Sequence, residues 1–529
     1  MLYQWQEVNR KTSIAFKNPC TLPVNIMYKH NLKQLEFEDF NLPFDGHLRS
    51  DNRWVKLAKF IPWDEFEVAY SKRLSGTRLG PPAMSVRVAL GALIIKERLG
   101  TTDEETVEQI RENPYLQYFL GFKDYCEEVP FHPTMFVHFR KRIGKIAICK
   151  IIETINRKAI DANDQSKDNH KDDGDGGDYT SGEEKTNKGQ LLIDATCTPA
   201  DITFPTDLKI LNEARENSEK IIDILYRQQK GSLKKPRTYR KRARKDFLSV
   251  AKSKKVSKGT LRKAIRRQLG YLGRNLKTIE SLSKSSSLLR LNKRLYKILL
   301  VINEVYRQQK WMYENQVNRI DDRIVSIYQP HVRPIKRGKA SAPTEFGAKI
   351  SASLVDGYCF LDRLSWDAYN ESLDLIGQAE AYRARVGVYP KSIHADKIYR
   401  TRKNIKFCKS HDIRLSGPVL GRPPERKEKR VAMQKQARQD ELDRIPIEGK
   451  FGQGKRRFSL SKIMCKLART SETAIAVVFL VMNLEKWLQS HPFYFFLLLH
   501  SRSLWSKLAE LIALKDHNRP YEIAVCPSI

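Results

Sequence analysis

Two aspartates stand where an apolar run ends: Asp194 in LLIDATC and Asp396 in SIHADKIY. A third acid, Glu448, lies in ELDRIPIEGKFGQGKRR, with Arg444 four residues before it and Lys455 seven residues after it. Carboxylate oxygens are the donors that hard divalent cations take, and Arg or Lys beside them suits phosphate. Strand ends in an open sheet are where sites are built. A lone aspartate after an apolar run reads as a turn or cap residue; the third element turns the reading towards chemistry. Spacings of four and seven return to one helix face, so Arg444, Glu448 and Lys455 share a surface if residues 441–457 are helical. Pro446, Gly449, Gly452 and Gly454 make that conditional, because each disfavours a helix interior.

The elements that position these residues follow from hydrophobic spacing. The run at 191–194 predicts a strand. The stripe Leu208, Leu211, Ala214, Ile221, Ile222 and Leu225 predicts a helix over 207–227, and Leu295, Ile298, Leu299, Ile302 and Val305 predict another. Strand patterns follow at 323–328, 348–355 and 358–364, the last two joined by the hairpin pair Asp356-Gly357. A helix over 372–386 and a strand at 392–394 lead to Asp396. This order predicts an α/β fold, a mixed sheet with helices on its faces. Residues 1–160 read as an all-α N-terminal domain. In it 84–99 is helical and stops at Gly100, and Thr102 with Glu105 makes a capping box. A helix at 136–143, closed by Gly144, carries Arg140, Lys141 and Arg142, a basic face that leans towards DNA contact.

Residues 161–189 hold nine Asp/Glu and no large aliphatic residue, which predicts a disordered acidic linker; their acids do not match the spacing of a calcium-binding EF-hand. The chain of 529 residues has 96 Lys/Arg against 61 Asp/Glu, a net charge of +35. Residues 227–277 alone hold 20 Lys/Arg and one acid, more than solubility needs, so phosphate contact is expected there. The eight cysteines form no Cys-x-x-Cys pair, which argues against a zinc ribbon and a secreted disulfide framework. Apolar runs at 474–482 and 493–499 fall short of the roughly 20 residues of a membrane span and read as core helices. The N-terminus lacks the apolar core of a signal peptide. The expected location is the bacterial cytoplasm, beside the nucleoid, with no membrane partner.

The chain resembles the DDE transposases of bacterial insertion sequences, in the group named after insertion sequence five, over nearly its whole length. The likeness is carried by GPPAMSVRVALGALIIKERLG, RPIKRGKASAPTEFGAK, VDGYCFLDRLSWDAYNES and IEGKFGQGKRRF. The family pattern around the third acid is Tyr, two residues, Arg, three residues, Glu, six residues, Lys. Arg444, Glu448 and Lys455 match it, with Glu441 in the Tyr position; Ala395 precedes Asp396 where the family often has Gly.

The resemblance implies an RNase H-like mixed sheet over 190–489, with a basic helical insertion at about 205–320 and a C-terminal tail at 490–529. The N-terminal domain would serve DNA end binding or dimerisation. Asp194, Asp396 and Glu448 are the implied catalytic and metal-holding acids, Asp194 bridging two ions. Three carboxylates without His or Cys suit Mg2+, with Mn2+ as the substitute. The implied chemistry is phosphodiester hydrolysis at an element end, then attack by the freed 3′-hydroxyl on target DNA. The implied partner is double-stranded DNA, both terminal inverted repeats and target, bound by a homodimer. Arg444, Lys455, Lys397, Arg400 and Arg402 are expected on phosphates, as are Arg240, Lys241, Arg242, Arg244 and Lys245 of the basic segment. His394 is expected as a buried or second-shell histidine, Asp207 as a helix N-cap, and Asp362 and Asp367 as surface or hairpin residues. Trp366 and Tyr369 are expected in core packing ahead of stacking on a flipped base. The competing readings are a transposase-derived DNA-binding protein without catalysis and a nuclease without strand transfer.

Overall fold

The computed structural model describes residues 36–42, 46–72, 83–168, 186–229, 231, 233–285, 287–336, 344–417 and 427–490. The N-terminal layer is helical: α1 (Arg53–Phe60), α2 (Trp63–Ser71), α3 (Val86–Leu99), α4 (Asp103–Glu112), α5 (Pro114–Leu120) and α6 (Met135–Asp168). Its boundaries are set by side chains. Ser85 Oγ accepts from Val88 N at the start of α3, and Gly100, at φ 70°, ends it. Thr102 Oγ1 accepts from Glu105 N to open α4. The buried Arg87 guanidinium donates to the carbonyls of Tyr118 and Phe119, satisfying the last turn of α5. Gly144 (φ 71°, ψ 160°) breaks α6 into two helical stretches, because only glycine takes that conformation cheaply.

Helix α6 runs through 161–168, so the expected linker does not begin at 161. Nor does the linker reach 189: Asn187 Nδ2 donates to His411 O at 2.7 Å, Lys188 N to Tyr389 O at 3.1 Å, and Gly189 O accepts from Lys391 N at 3.0 Å. Residues 169–185 lie outside the described residues, as do the run at 493–499 and the tail from 491. Arg140 turns inward to Asp103 at 2.7 Å instead of facing DNA; its neighbour Lys141 is exposed.

The chain then enters the sheet through β1 (Gln190–Pro199) and leaves it for four helices: α7 (Asp207–Tyr226), α8 (Arg240–Ala251), α9 (Lys258–Ser285) and α10 (Lys293–Glu314). These have an apolar core of their own, with Leu211, Ile222, Leu272 and Ile302 fully buried. Thr206, not Asp207, caps α7; Asp207 pairs instead with Arg323. Residues 323–328 are not a strand. Ile324 and Ile327 are buried against the helical insertion, and Ile324 N donates to Gln308 Oε1 of α10, so the apolar pattern reflects burial without a strand partner.

The sheet resumes with β2 (Arg333–Lys336), β3 (Thr344–Val355) and β4 (Tyr358–Ser365). Asp356 and Gly357, both at positive φ, turn β3 into β4. After α11 (Leu375–Val386) come β5 (Ser392–His394), α12 (Arg402–Ser410), β6 (Arg414–Leu415), α13 (Lys427–Arg456) and α14 (Ala468–Ser490). The order is β2-β3-β1-β5-β6, with β4 also paired to β3. β1 is antiparallel to β3 and parallel to β5, and β5 is parallel to β6. The result is a mixed sheet with helices packed against it.

Helix α14, buried from Thr470 to Glu485 on most of its surface, packs along α6, α3 and β4. Asn483 clamps the backbone of β4, accepting from Cys359 N at 2.8 Å and donating to Cys359 O at 2.7 Å. The N-terminal helices, the sheet and α14 therefore share one apolar core, and the apolar run at 474–482 is its centre.

Candidate active site

The parallel register of β1 and β5 pairs Leu192 with His394. Asp194 and Asp396 each lie two residues beyond that pair, at one level on adjacent strands. β5 stops at His394, but β1 runs on to Pro199, so Asp194 stands in mid-strand opposite Ala352 of β3 and not at the strand end its apolar run suggested. Asp396 follows β5 and caps the following turn, accepting from Lys397 N at 2.6 Å; it is exposed. Asp194 is largely buried, and its Oδ1 accepts from Ala195 N at 2.8 Å.

Glu448 reaches the site from α13, which packs on β1 and β5. Helix α13 is continuous through Pro446, so the condition on the shared face of Arg444, Glu448 and Lys455 is met. Arg444 lies between two of the acids, with Nη2 2.6 Å from Glu448 and Nη1 3.9 Å from Asp194. Lys455 is half-buried, the last residue but one of the helix.

Burial pushes the Asp194 carboxyl up to about 6. Glu371 and Glu448 push the same way, while the Ala195 amide and Arg444 oppose them. Glu371, which sequence reasoning did not single out, sits in the turn Glu371–Leu373 and pairs with Lys349 at 3.0 Å. The site thus concentrates negative charge beside a desolvated acid, an arrangement that a cation relieves.

Other expected residues sort by their contacts. Lys397 and Arg402 are exposed beside Asp396. Arg400 is not a free phosphate ligand: its guanidinium donates to the carbonyls of Leu415 and Ser416, tying the turn to β6. Lys241, Arg242, Arg244 and Lys245 are exposed on α8, while Arg240 pairs with Asp223 at 2.9 Å. Asp362 is not a surface residue; its side chain is largely buried against Gln378 and Arg385. Trp366 packs on His331, with ring centroids 4.4 Å apart, and donates to Glu472 at 3.0 Å. Tyr369 lies against Arg363, 3.9 Å from its ring centroid.

His394 is fully buried as expected, but it has unexpected company. Among the described residues, the trio of potential metal-ligand atoms lying within 4.8 Å of one another is His394, Asp440 and Asp443. Asp194, Asp396 and Glu448 are not drawn together that tightly. The signal in the sequence was Asp440 and Asp443 one turn apart, legible only once α13 is laid on β5.

Residues 393–485 match a family model described as a transposase DDE domain, and residues 42–142 match one described as a transposase domain. A curated relative, the uncharacterized protein ORF8 in the nfe locus of Rhizobium meliloti, is 30% identical over 160 residues, 30% of this chain and 68% of that protein. The chain belongs to the DDE transposases of insertion sequences. No solved structure matches it. The DDE match covers β5, α13 and most of α14, and so includes Asp396, Arg444 and Glu448 of the transposase; Asp194 lies upstream of it. The other match spans the N-terminal helices as far as the first stretch of α6.

Proposed function

We propose that this transposase binds the terminal inverted repeats of its element as a homodimer, hydrolyses a phosphodiester bond at each end and transfers the 3′-hydroxyl to target DNA. The observation that carries the reading is the register of β1 and β5, which sets Asp194 and Asp396 side by side under a helix bearing Glu448. β1 lies between antiparallel β3 and parallel β5, a topology that supports an RNase H-like catalytic domain. The spacing Arg444, Glu448, Lys455 supports the group named after insertion sequence five.

The donor set fits divalent ions. It is all carboxylate, which suits Mg2+ or Mn2+, and burial with acidic neighbours raises the Asp194 carboxyl to about 6, a cost that a bound cation offsets. Asp194, Asp396 and Glu448 would hold the ions, which when bound supply charge to the attacking and leaving oxygens. The chain's own part is placement. Asp194 is fixed by its own backbone and Asp396 by its cap. Arg444 neutralises the acids and is freed for a DNA phosphate once cations take over that duty. Lys397 and Arg402 flank the path of the cut strand, and the exposed cations of α8 grip DNA further out.

The test is incubation of purified protein with a labelled duplex carrying the element's own terminus, in Mg2+ or Mn2+, beside Asp194→Ala. Metal-dependent nicking at the terminus and joined products are expected, both lost in the variant. Nicking without joining would make the protein a nuclease, and specific binding without cutting would make it a DNA-binding descendant of the family.

A further inference from the structure

We propose that His394, Asp440 and Asp443 form a second metal site, separate from the carboxylate triad and selective for a transition ion such as Zn2+. His394 is 0% exposed, and its Nδ1 has no hydrogen-bond partner. That nitrogen faces two carboxylates, 3.8 Å from Asp443 Oδ2 and 4.0 Å from Asp440 Oδ1. These separations are too long for an N–H···O bond. Tetrahedral Zn–N and Zn–O bonds of about 2.0–2.2 Å place neighbouring ligand atoms about 3.3–3.6 Å apart, so an ion would draw the carboxylates in by a few tenths of an ångström.

The surroundings are those of a built site. Ser392 Oγ lies 3.0 Å from His394 Nε2 and fixes the ring; with the proton on Nε2, the Nδ1 lone pair points between the carboxylates. Asp440 Oδ1, the oxygen that faces the ring, also accepts from Arg414 at 2.6 Å and from Gln436 at 3.1 Å, and Oδ2 accepts from the Gly417 amide at 3.1 Å, so an ion would share Oδ1 with the guanidinium. Asp443 Oδ1 accepts from Gln439 at 2.9 Å, which leaves Oδ2 to face the ring. One imidazole with two carboxylates favours Zn2+ over Mg2+, whereas an all-oxygen set does the reverse. An ion here would lock β5 to α13, and so fix the strand that leads to Asp396 against the helix that carries Glu448. The site itself stands whether or not those acids are catalytic.

The experiment uses the full chain, stripped with a chelator and dialysed against Zn2+, with bound metal counted by mass spectrometry and Tm recorded. A background of Asp194→Asn, Asp396→Asn and Glu448→Gln removes the other carboxylate set. That background is expected to retain one Zn2+ per chain and to gain Tm with it. Asp443→Ala, a change at a partly exposed side chain, and His394→Gln should lose both, and Arg414→Ala should keep both. Zinc content unaffected by Asp443→Ala, or no retained zinc in the background, overturns the proposal. Zinc bound only after Arg414→Ala overturns it too, because the guanidinium would then be the permanent cation of the cluster.

Discussion

Two acidic clusters share strand β5 and helix α13, and they differ in what surrounds them. Just past the end of β5, Asp194, Asp396 and Glu448 are all oxygen donors, with Asp396 and Glu448 exposed and Arg444 as the internal counter-charge. About two helical turns earlier on α13, Asp440 and Asp443 meet a buried imidazole, with Arg414 on the outer side. The first cluster is open to a substrate with phosphates; the second is closed by protein. On the readings proposed above, equal numbers of ligand groups serve opposite ends, one to do chemistry on DNA and the other to hold the frame still. The donor elements and the access of water decide which.

The largest effect separates the two. Asp194→Ala should lower terminus nicking in Mg2+ by at least about 1000-fold, since metal stabilisation of the transition state is worth several kcal/mol. Asp443→Ala should lower it by only about tenfold, the scale of a lost supporting contact. Equal losses in a quantitative nicking assay would erase the distinction.

The next effect runs opposite to activity. In the fold the Asp194 carboxyl is raised from 3.8 to about 6, so its neutral form is preferred and ionising it costs stability. That cost builds between about pH 4 and pH 6 and is complete above. Asp194→Asn should therefore stabilise the metal-free protein near pH 7 by up to about 3 kcal/mol, with no gain below about pH 4. Denaturant melts at both pH values read this directly, and added Mg2+ should favour the wild type instead.

Smaller shifts test the neighbours. Divalent binding needs the carboxylate, so Mg2+ affinity should rise as pH climbs through about 6 and then level off. Arg444→Ala removes a cation that favours the carboxylate and should move that midpoint up by about one unit. Glu371→Gln removes a like charge and should move it down by less. Isothermal titrations across pH check both, and a midpoint indifferent to Glu371 would detach that residue from the site.

Much of this frame was legible in the sequence, wherever the cause of a structure is local. The Thr102 cap (half of the expected box, since Glu105 accepts from Gln109 instead), the stop at Gly100 and the Asp356-Gly357 hairpin depend on residues within a few positions of one another. So does the face shared by Arg444 and Glu448, although Pro446 and three glycines argue against a helix; packing of α13 on β1 and β5 outweighs that propensity. What failed depended on distant partners. Residues 323–328 have a strand's composition, but α7 and α10 bury Ile324 and Ile327, and no strand pairs with the segment among the described residues. Asp362 has the look of a hairpin acid until Arg385 folds onto it. Arg140 and Arg400 count as basic residues in a tally, yet their charges are spent on Asp103 and on backbone carbonyls. The imidazole of His394 meets carboxylates more than forty residues away in sequence, a convergence that spacing alone does not contain.

The clamp of Asn483 on β4 has a consequence for synthesis. The helices formed first leave an open apolar trough that is filled by α14, and the edge of β4 waits for the same helix. Arg98 and Glu97 of α3 also wait for Glu485 and Ser459. A nascent chain halted before residue 468 therefore lacks the piece that closes its own interior. At about 5–20 residues per second, that piece follows α3 by more than 350 residues and so by tens of seconds. The apolar core thus first closes only once α14 has been made, and a product cut short before it carries the positive charge of α8 and α9 without a finished core.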